Sequence, residues 1–291
     1  MATPQAVSDH YQEQQRLTVA ALAASRRLWT AMTPDFDSSW QSIGARLLLL
    51  LTAAQLGSAR QGAAYVPLAL EQQGIDVRPD GQVRPEAFAG VASDGRPLDT
   101  LLLGSVVRAK RAVADGVEPV DALTRGGRFL DLAFRTQIAD AAREAAATAI
   151  AARENTVWVR MVNPPCCSRC AILAGRKYLG NEGFLRHPGC DCRHIPTSEN
   201  VAGDLTTDPK ALFRAGQITD LSVAEREALD EGADLAQVVN ARRGRQGITT
   251  SEGATRRRGQ PARLTPAGIQ RAAGANRELR LRLLREHGYL T

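Results

Sequence analysis

The chain has 291 residues, a net charge of +6, 44% apolar residues and only 4% aromatics. Alanine and leucine supply most of the apolar side chains, a balance that disfavours a β-sandwich and favours packed helices. Length admits one large domain or two to three small ones, and the polar N-terminus, "MATPQAVSDHYQEQQ", gives no expectation of a secretory leader.

The first section, 1–154, reads as a helical bundle domain. In "VSDHYQEQQRLTVAALAASRRLWTAM", Leu17, Ala20, Ala21, Ala24 and Leu28 recur at helical spacing. Thr33-Pro34-Asp35 breaks that helix. A second begins near Ser38, with Trp40, Ile43, Leu47, Leu50, Leu51 and Ala54 on one face. The apolar run Leu47 to Leu51 is far shorter than the roughly 20 residues of a bilayer span, so no membrane partner is expected. Gly74 to Pro97 is an irregular excursion. Helices return over about Leu98 to Ala114 and about Val120 to Arg153, the latter bent or split at Gly126-Gly127.

The second section, 155–200, holds all five cysteines and two of the four histidines. "TVWVRMV" alternates and is rich in β-branched residues, which predicts a strand, and "GRKYLGNEG" has the composition of a hairpin. Cys167-x-x-Cys170 is the usual first element of a tetrahedral metal site, because one tight turn lets both sulfurs face one ion. "HPGCDC" adds His187, Cys190 and Cys192, with 19 residues between Cys170 and Cys190. The expected cofactor is one structural zinc ion, which would contribute on the order of 10–16 kcal/mol to folding a module with little core of its own. The first choice of ligands is Cys167, Cys170, His187 and Cys192, with Cys190 able to replace either of the last two. Cys166 points away from the ion, and His194 lies at the surface or behind the ligands.

Two other readings of the cluster stay open: reduced buried thiols, and a nucleophilic Cys166 or Cys190 activated by His187. A disulfide knot is disfavoured by the odd cysteine count and by the expected reducing cytoplasm. A zinc-stabilised nuclease would need carboxylates nearby, for which Asp191 and Glu182 are the candidates.

The third section, 201–291, is a basic extension with short helices. "LSVAERE" offers a capping box, Ser222 with Glu225, and "LTPAGIQRAA" offers Thr265 as N-cap before Pro266. From Ala241 to Thr291 there are 12 arginines and 3 glutamates, a local charge of +9, which leaves 25 basic and 28 acidic residues before it. Within this section Arg242, Arg243, Arg245, Arg256, Arg257 and Arg258 form an extended arm suited to an anionic neighbour such as nucleic acid or an acidic protein surface.

Taken together, the fold class is mainly α with a small zinc-stapled α+β module: a helical bundle, a hairpin-containing Cys/His module and an extended Arg-rich arm with short helices. The stretch "VWVRMVNPPCCSRCAILAGRKY…HPGCDCRHIP" resembles the C-terminal signature of phage minor head proteins of the Mu F-like kind. The matching positions are Cys167, Cys170, Leu173-Ala174-Gly175, His187, Pro188, Cys190, Cys192 and Pro196; the doubled Cys166-Cys167 departs from the usual single cysteine. Downstream, "GQITDLS…GADLAQVVNARRG…RLTPAGIQR…LLREHGYLT" resembles extensions of such proteins from phages and prophages of actinobacteria. The resemblance spans about Val157 to Thr291. It implies a structural minor capsid protein of a tailed phage, made in the host cytoplasm. Such a protein sits inside the head or at the portal vertex, against portal or major capsid protein, with the arm near packaged DNA. Some relatives carry a capsid maturation protease label, but Ser8 and Ser198, the serines nearest a histidine in sequence, sit in no nucleophile motif.

Overall fold

The computed structural model describes residues 3–179, 184, 186–205, 207–230, 234–241, 254–255, 263–264, 266–288 and 290. It is mainly helical with one small three-stranded antiparallel sheet. Four long helices form the body: α1 (Gln5–Trp29), α2 (Phe36–Glu71), α3 (Leu98–Ala114) and α4 (Pro119–Ala151). α2 starts two residues before Ser38 because Asp35 caps it, accepting the Ser38 amide at 3.3 Å.

The four helices alternate in direction. Gln14 of α1 hydrogen-bonds Ser58 of α2, and Ala6 donates its amide to Gln72, so α1 and α2 are antiparallel. Ser58 faces Ile138 and Gly62 faces Ala142, equal steps that make α2 and α4 parallel. An up-down-up-down bundle follows. Its core is Leu47, Leu51, Leu102, Val106, Leu130, Phe134 and Ile138. By length and hydropathy α2 is long enough to cross a membrane, yet its apolar stripe faces α1, α3 and α4.

Two sequence expectations for the bundle change. The buried stripe of α1 is Val7, His10, Gln14, Thr18, Ala21, Leu22 and Ser25, while Ala20 is exposed. Gln14, bonded to Ser58, and His10, stacked on Tyr65, take places an apolar pattern would not assign. Nor does Gly126-Gly127 break α4, which is continuous. A Cβ on Gly126 would lie 2.7 Å from the Ser105 carbonyl oxygen and 2.9 Å from the Trp29 ring, so these glycines serve close helix packing.

The tightest approach is between α2 and α4. A Cβ on Gly62 would lie 2.3 Å from the Ala142 carbonyl oxygen and 2.7 Å from its Cα. Gly62→Ala is expected to destabilise the chain by about 1–3 kcal/mol through overpacking. Gly57→Ala is the control, because its Cβ would meet only Leu17 at 3.6 Å, and helix propensity there favours alanine by roughly 0.5–1 kcal/mol. Thermal unfolding should shift the two variants in opposite directions.

The sheet has the order β2-β1-β3, with β1 (Thr156–Met161) in the centre between β2 (Lys177–Leu179) and β3 (Arg193–Ser198). β1 was legible from its residues. β3, "RHIPTS", was not, because Pro196 argues against a strand; it is tolerated since β3 is an edge strand. Both outer faces of β1 are covered. Val157, Trp158, Val159 and Ile195 share one apolar cluster with Val7 of α1, Tyr65 and Val66 of α2, and Ile150 of α4. The sheet therefore packs on α1, α2 and α4 through an apolar cluster of its own, distinct from the bundle core.

Short helices follow: α5 (Ser168–Ala171) within the Cys/His segment, then α6 (Pro209–Arg214), α7 (Val223–Asp230) and α8 (Leu235–Ala241). The two-residue strands β4 (Ala254–Thr255) and β5 (Arg263–Leu264) pair antiparallel, and α9 (Pro266–Ala273) and α10 (Arg277–Glu286) close the chain. The Ser222–Glu225 capping box is present: the Glu225 carboxylate accepts the Ser222 amide and hydroxyl, both at 2.8 Å, and the Ser222 hydroxyl accepts the Glu225 amide at 3.3 Å. Pro266 opens α9 as expected, and Thr265 lies outside the described residues. Ile269, Leu281 and Leu284 pack on Ala59, Ala141 and Ala145, so the C-terminal helices dock on the bundle. Arg242, Arg243, Arg245, Arg256, Arg257 and Arg258 lie outside the described residues, as does Glu182.

Candidate metal centre

Two short elements deliver the donors. After β1 the chain turns through Asn163-Pro164-Pro165 and forms α5, one helical turn whose N-cap is Cys167; its sulfur accepts the Cys170 amide at 3.4 Å. The turn is held from outside by the third section of the chain. Asp220 accepts the Ser168 amide at 2.6 Å and its hydroxyl at 2.9 Å. Cys166 exchanges backbone hydrogen bonds with Gln217 and Thr219 at 2.9 and 3.0 Å.

The second element is the turn from His187 to Cys190, closed by the Cys190 amide on the His187 carbonyl at 3.1 Å. Gly189 adopts φ +75°, which a side chain would strain. Its amide donates to Thr136 of α4 at 3.0 Å. Arg143, also on α4, donates from Nε to the Cys192 carbonyl at 2.8 Å and from a terminal nitrogen to the Cys190 carbonyl.

Five donor atoms converge where these elements meet. Cys167, Cys170 and His187 lie within 4.8 Å of one another, and so do Cys170, Cys190 and Cys192. His187 Nε2 is 3.1 Å from Cys167 Sγ and 3.7 Å from Cys170 Sγ, and the Cys170 and Cys190 sulfurs are 3.5 Å apart. Ligands on one tetrahedral zinc are separated by about 3.5–3.8 Å, given Zn–S near 2.3 Å and Zn–N near 2.0–2.1 Å. This Cys/His cluster could bind a metal ion, and its soft donors suit a thiophilic one. Cys170 belongs to both triads, with Cys190 and Cys192 both in reach of it. Cys166 is in neither triad; burial pushes its thiol up to about 11.

The protonation pattern inside the cluster follows from its contacts. Cys170 hydrogen-bonds Cys167, Cys190 and Cys192, which pushes its own thiol up and holds Cys190 down. Cys167 is lowered to about 5 by Cys170 and then His187, and His187 is raised to about 9 chiefly by Cys167. Thiolate is the form in which cysteine ligates a metal. Since His187 must lose its proton to bind, metal affinity falls as pH falls.

Behind the second element lies a charged network that sequence reading did not assign. Asp140 of α4, 1% exposed, accepts from Arg143 at 2.7 Å, from Ser93 at 2.7 Å and from both Nε and a terminal nitrogen of Arg186. Arg143 and Arg186 are likewise buried. Burial alone would raise the Asp140 carboxyl; the two guanidiniums overcome it and hold it below the usual carboxylate range. One signal was available in the sequence: "IADAAREAAATAIAA" places Asp140 and Arg143 three apart in a stretch otherwise made mostly of alanine. Charges inside so apolar a helix belong on a buried face with partners.

His194 is not at the surface. It is 1% exposed, opposite Arg160 across the β1–β3 ladder, with its ring edge-on to Trp158 at 4.4 Å and Phe184 at 4.6 Å. Its placement follows from β3, which brings the residues after Cys192 back into the sheet. Burial and then the Arg143, Arg160 and Arg193 charges hold its imidazole well below its ordinary value. Asp191 accepts a hydrogen bond from Tyr11 at 3.3 Å.

His10 repeats this theme from α1. It stacks on Tyr65 at 4.1 Å, is 3% exposed, and burial followed by the Arg193 charge lowers it to about 3. In the unfolded chain a histidine titrates near 6.5, so the unfolded state binds more protons between about 6.5 and 3. Stability from the neutral ring is complete above 6.5 and is lost as pH falls toward 3, at about 1 kcal/mol per pH unit. His10→Phe should keep the stack and flatten this dependence, which chemical denaturation at pH 7 and pH 5 would measure. Equal losses in variant and parent would refute it.

Fold and donors together define a helical protein with a Cys/His module built onto it. No family model matches the chain, and no curated protein or solved structure matches it.

Proposed function

We propose that the chain is a structural minor head protein of a tailed phage and that its Cys/His centre holds one structural zinc ion. The observation that carries the zinc reading is the closure of the centre. Five soft donors converge from two elements, the Asp220 side chain grips one element, and Arg143 grips the other. More than four protein donors leave no position for a substrate or an attacking water, as a structural site requires. The metal then acts as a rivet between a small sheet and the helical body, and not as a reaction centre.

The phage reading rests on the resemblance of Cys167, Cys170, His187, Pro188, Cys190, Cys192 and Pro196 to the Mu F-like signature. Under it the protein works in the head interior or at the portal vertex, with the helices docking on portal or major capsid protein. The arm carrying Arg242, Arg243, Arg245, Arg256, Arg257 and Arg258 reaches toward packaged DNA or an acidic protein surface. Mass spectrometry of virions purified from the phage or prophage encoding the chain should find it in low copy. Complete absence from particles would sink the head-protein reading. Elemental analysis of the purified chain should find one zinc per chain; a metal-free protein with an unchanged fold would sink the zinc.

A further inference from the structure

We propose that the helical body carries an anion site separate from the arm, a groove between α3 and α4 that takes the phosphodiester backbone of nucleic acid. The groove encloses about 440 Å³ and is lined by Arg108 and Arg111 of α3 and by Arg125 and Arg128 of α4. Each pair is three residues apart, so each projects to one side of its helix. The helices run antiparallel with glycines at the contact: Gly104 lies against Phe129, and Gly126 against Ser105 and Ala109. This close approach sets the two arginine rows side by side.

Composition does not account for the charge. Residues 1–240 carry 25 basic and 28 acidic groups, yet here four arginines meet a single carboxylate, Asp115. Elsewhere on the bundle Arg26, Arg60, Arg96 and Lys110 each pair with an acid. Among the described residues none of the four groove arginines has a carboxylate partner. Arg108 instead lies over the Phe129 ring, 4.2 Å from its centroid, which fixes the guanidinium before any ligand arrives. Planar forks along both walls of a concave track match the regular acceptors of a phosphodiester chain. At its far end Leu132 packs near Gly189, so the groove ends beside the Cys/His centre.

The test uses the full-length protein and a fluorescent mixed-sequence DNA oligonucleotide, with binding followed from about 50 to about 200 mM salt. Arg108→Ala/Arg125→Ala is expected to weaken binding roughly tenfold at low salt and to make the slope of log K against log salt shallower by about 2. All four arginines are exposed, so melting temperature should be unchanged. Arg111→Ala/Arg128→Ala provides a second variant should the first fold poorly. The loss should persist when Arg256, Arg257 and Arg258 are already alanine. Unchanged DNA affinity and slope in both groove variants would overturn the proposal. So would variants that lose polyglutamate binding but keep DNA binding, since the partner would then be an acidic protein. The proposal does not depend on the phage reading: groove-dependent DNA binding stands even if virions lack the chain.

Discussion

Under the proposed zinc centre, Cys170→Ser is expected to abolish metal binding and to unfold the segment from Thr156 to Ser198 while the helical bundle survives. Among the described residues Cys170 is the one donor common to both triads, so its loss removes the sulfur that joins Cys167 and His187 to Cys190 and Cys192. Structural zinc contributes roughly 10–16 kcal/mol in zinc-finger peptides, comparable to the entire stability of an ordinary domain, about 5–15 kcal/mol. Around the centre the apolar cluster is itself built from Cys166, Cys170, Cys190 and Cys192 with Ala171, Ile172, Leu212 and Leu221. Losing the proposed ion would therefore remove both the staple and the packing it organises. The bundle core of Leu47, Leu51, Leu102 and Phe134 contains none of these residues. Elemental analysis and hydrogen exchange should thus report loss of metal and loss of protection in the module and the 212–221 segment packed on it, with the bundle core still protected. Cys166→Ser is the matched control, since Cys166 is in neither triad. Retention of metal by Cys170→Ser, or equal loss in both variants, would contradict the assignment.

The second large effect is expected at Asp140. Asp140→Ala leaves the guanidiniums of Arg143 and Arg186 buried without their shared carboxylate, and breaking such a pair costs about 3–5 kcal/mol. Arg143→Met should cost stability by another route, because the carbonyls of Cys190 and Cys192 lose their donor and the second ligand turn loses its hold on α4. A double-mutant cycle by urea unfolding should find strong coupling between the two positions. Additive losses would show that Asp140 does not act through Arg143. The pH dependence separates this network from the histidines. With its folded pKa depressed, Asp140 contributes fully above the unfolded carboxylate value near 3.9 and is lost only as pH falls through the lower folded value. Loss of stability between about pH 6.5 and pH 4 therefore reports the buried His10 and His194 and not Asp140.

Much of this was readable in the residues. Helical periodicity placed α3 at its observed bounds and located the break at Thr33-Pro34-Asp35, since period and proline are local properties. Spacing alone gathered Cys167, Cys170, His187, Cys190 and Cys192, because a C-x-x-C turn and a short H-P-G-C-D-C segment each converge on their own. Less of α1 was readable. Gln14, Thr18 and Ser25 are buried by bonds and packing that no apolar pattern signals. The strand β3 was hidden by Pro196, whose missing amide is harmless only at a sheet edge.

By itself the sequence determined the helical class, the sites of the long helices and the identity of the five candidate ligands, all of which depend on neighbours within a turn or two. Tertiary structure alone decided that His194 is buried and that Gly126-Gly127 is a packing contact. It also set α4 to hold the ligand turns through Arg143 and Thr136, and brought four arginines from two helices into one groove. Those outcomes depend on residues tens of positions apart, and their partners become known only when the chain has folded back on itself.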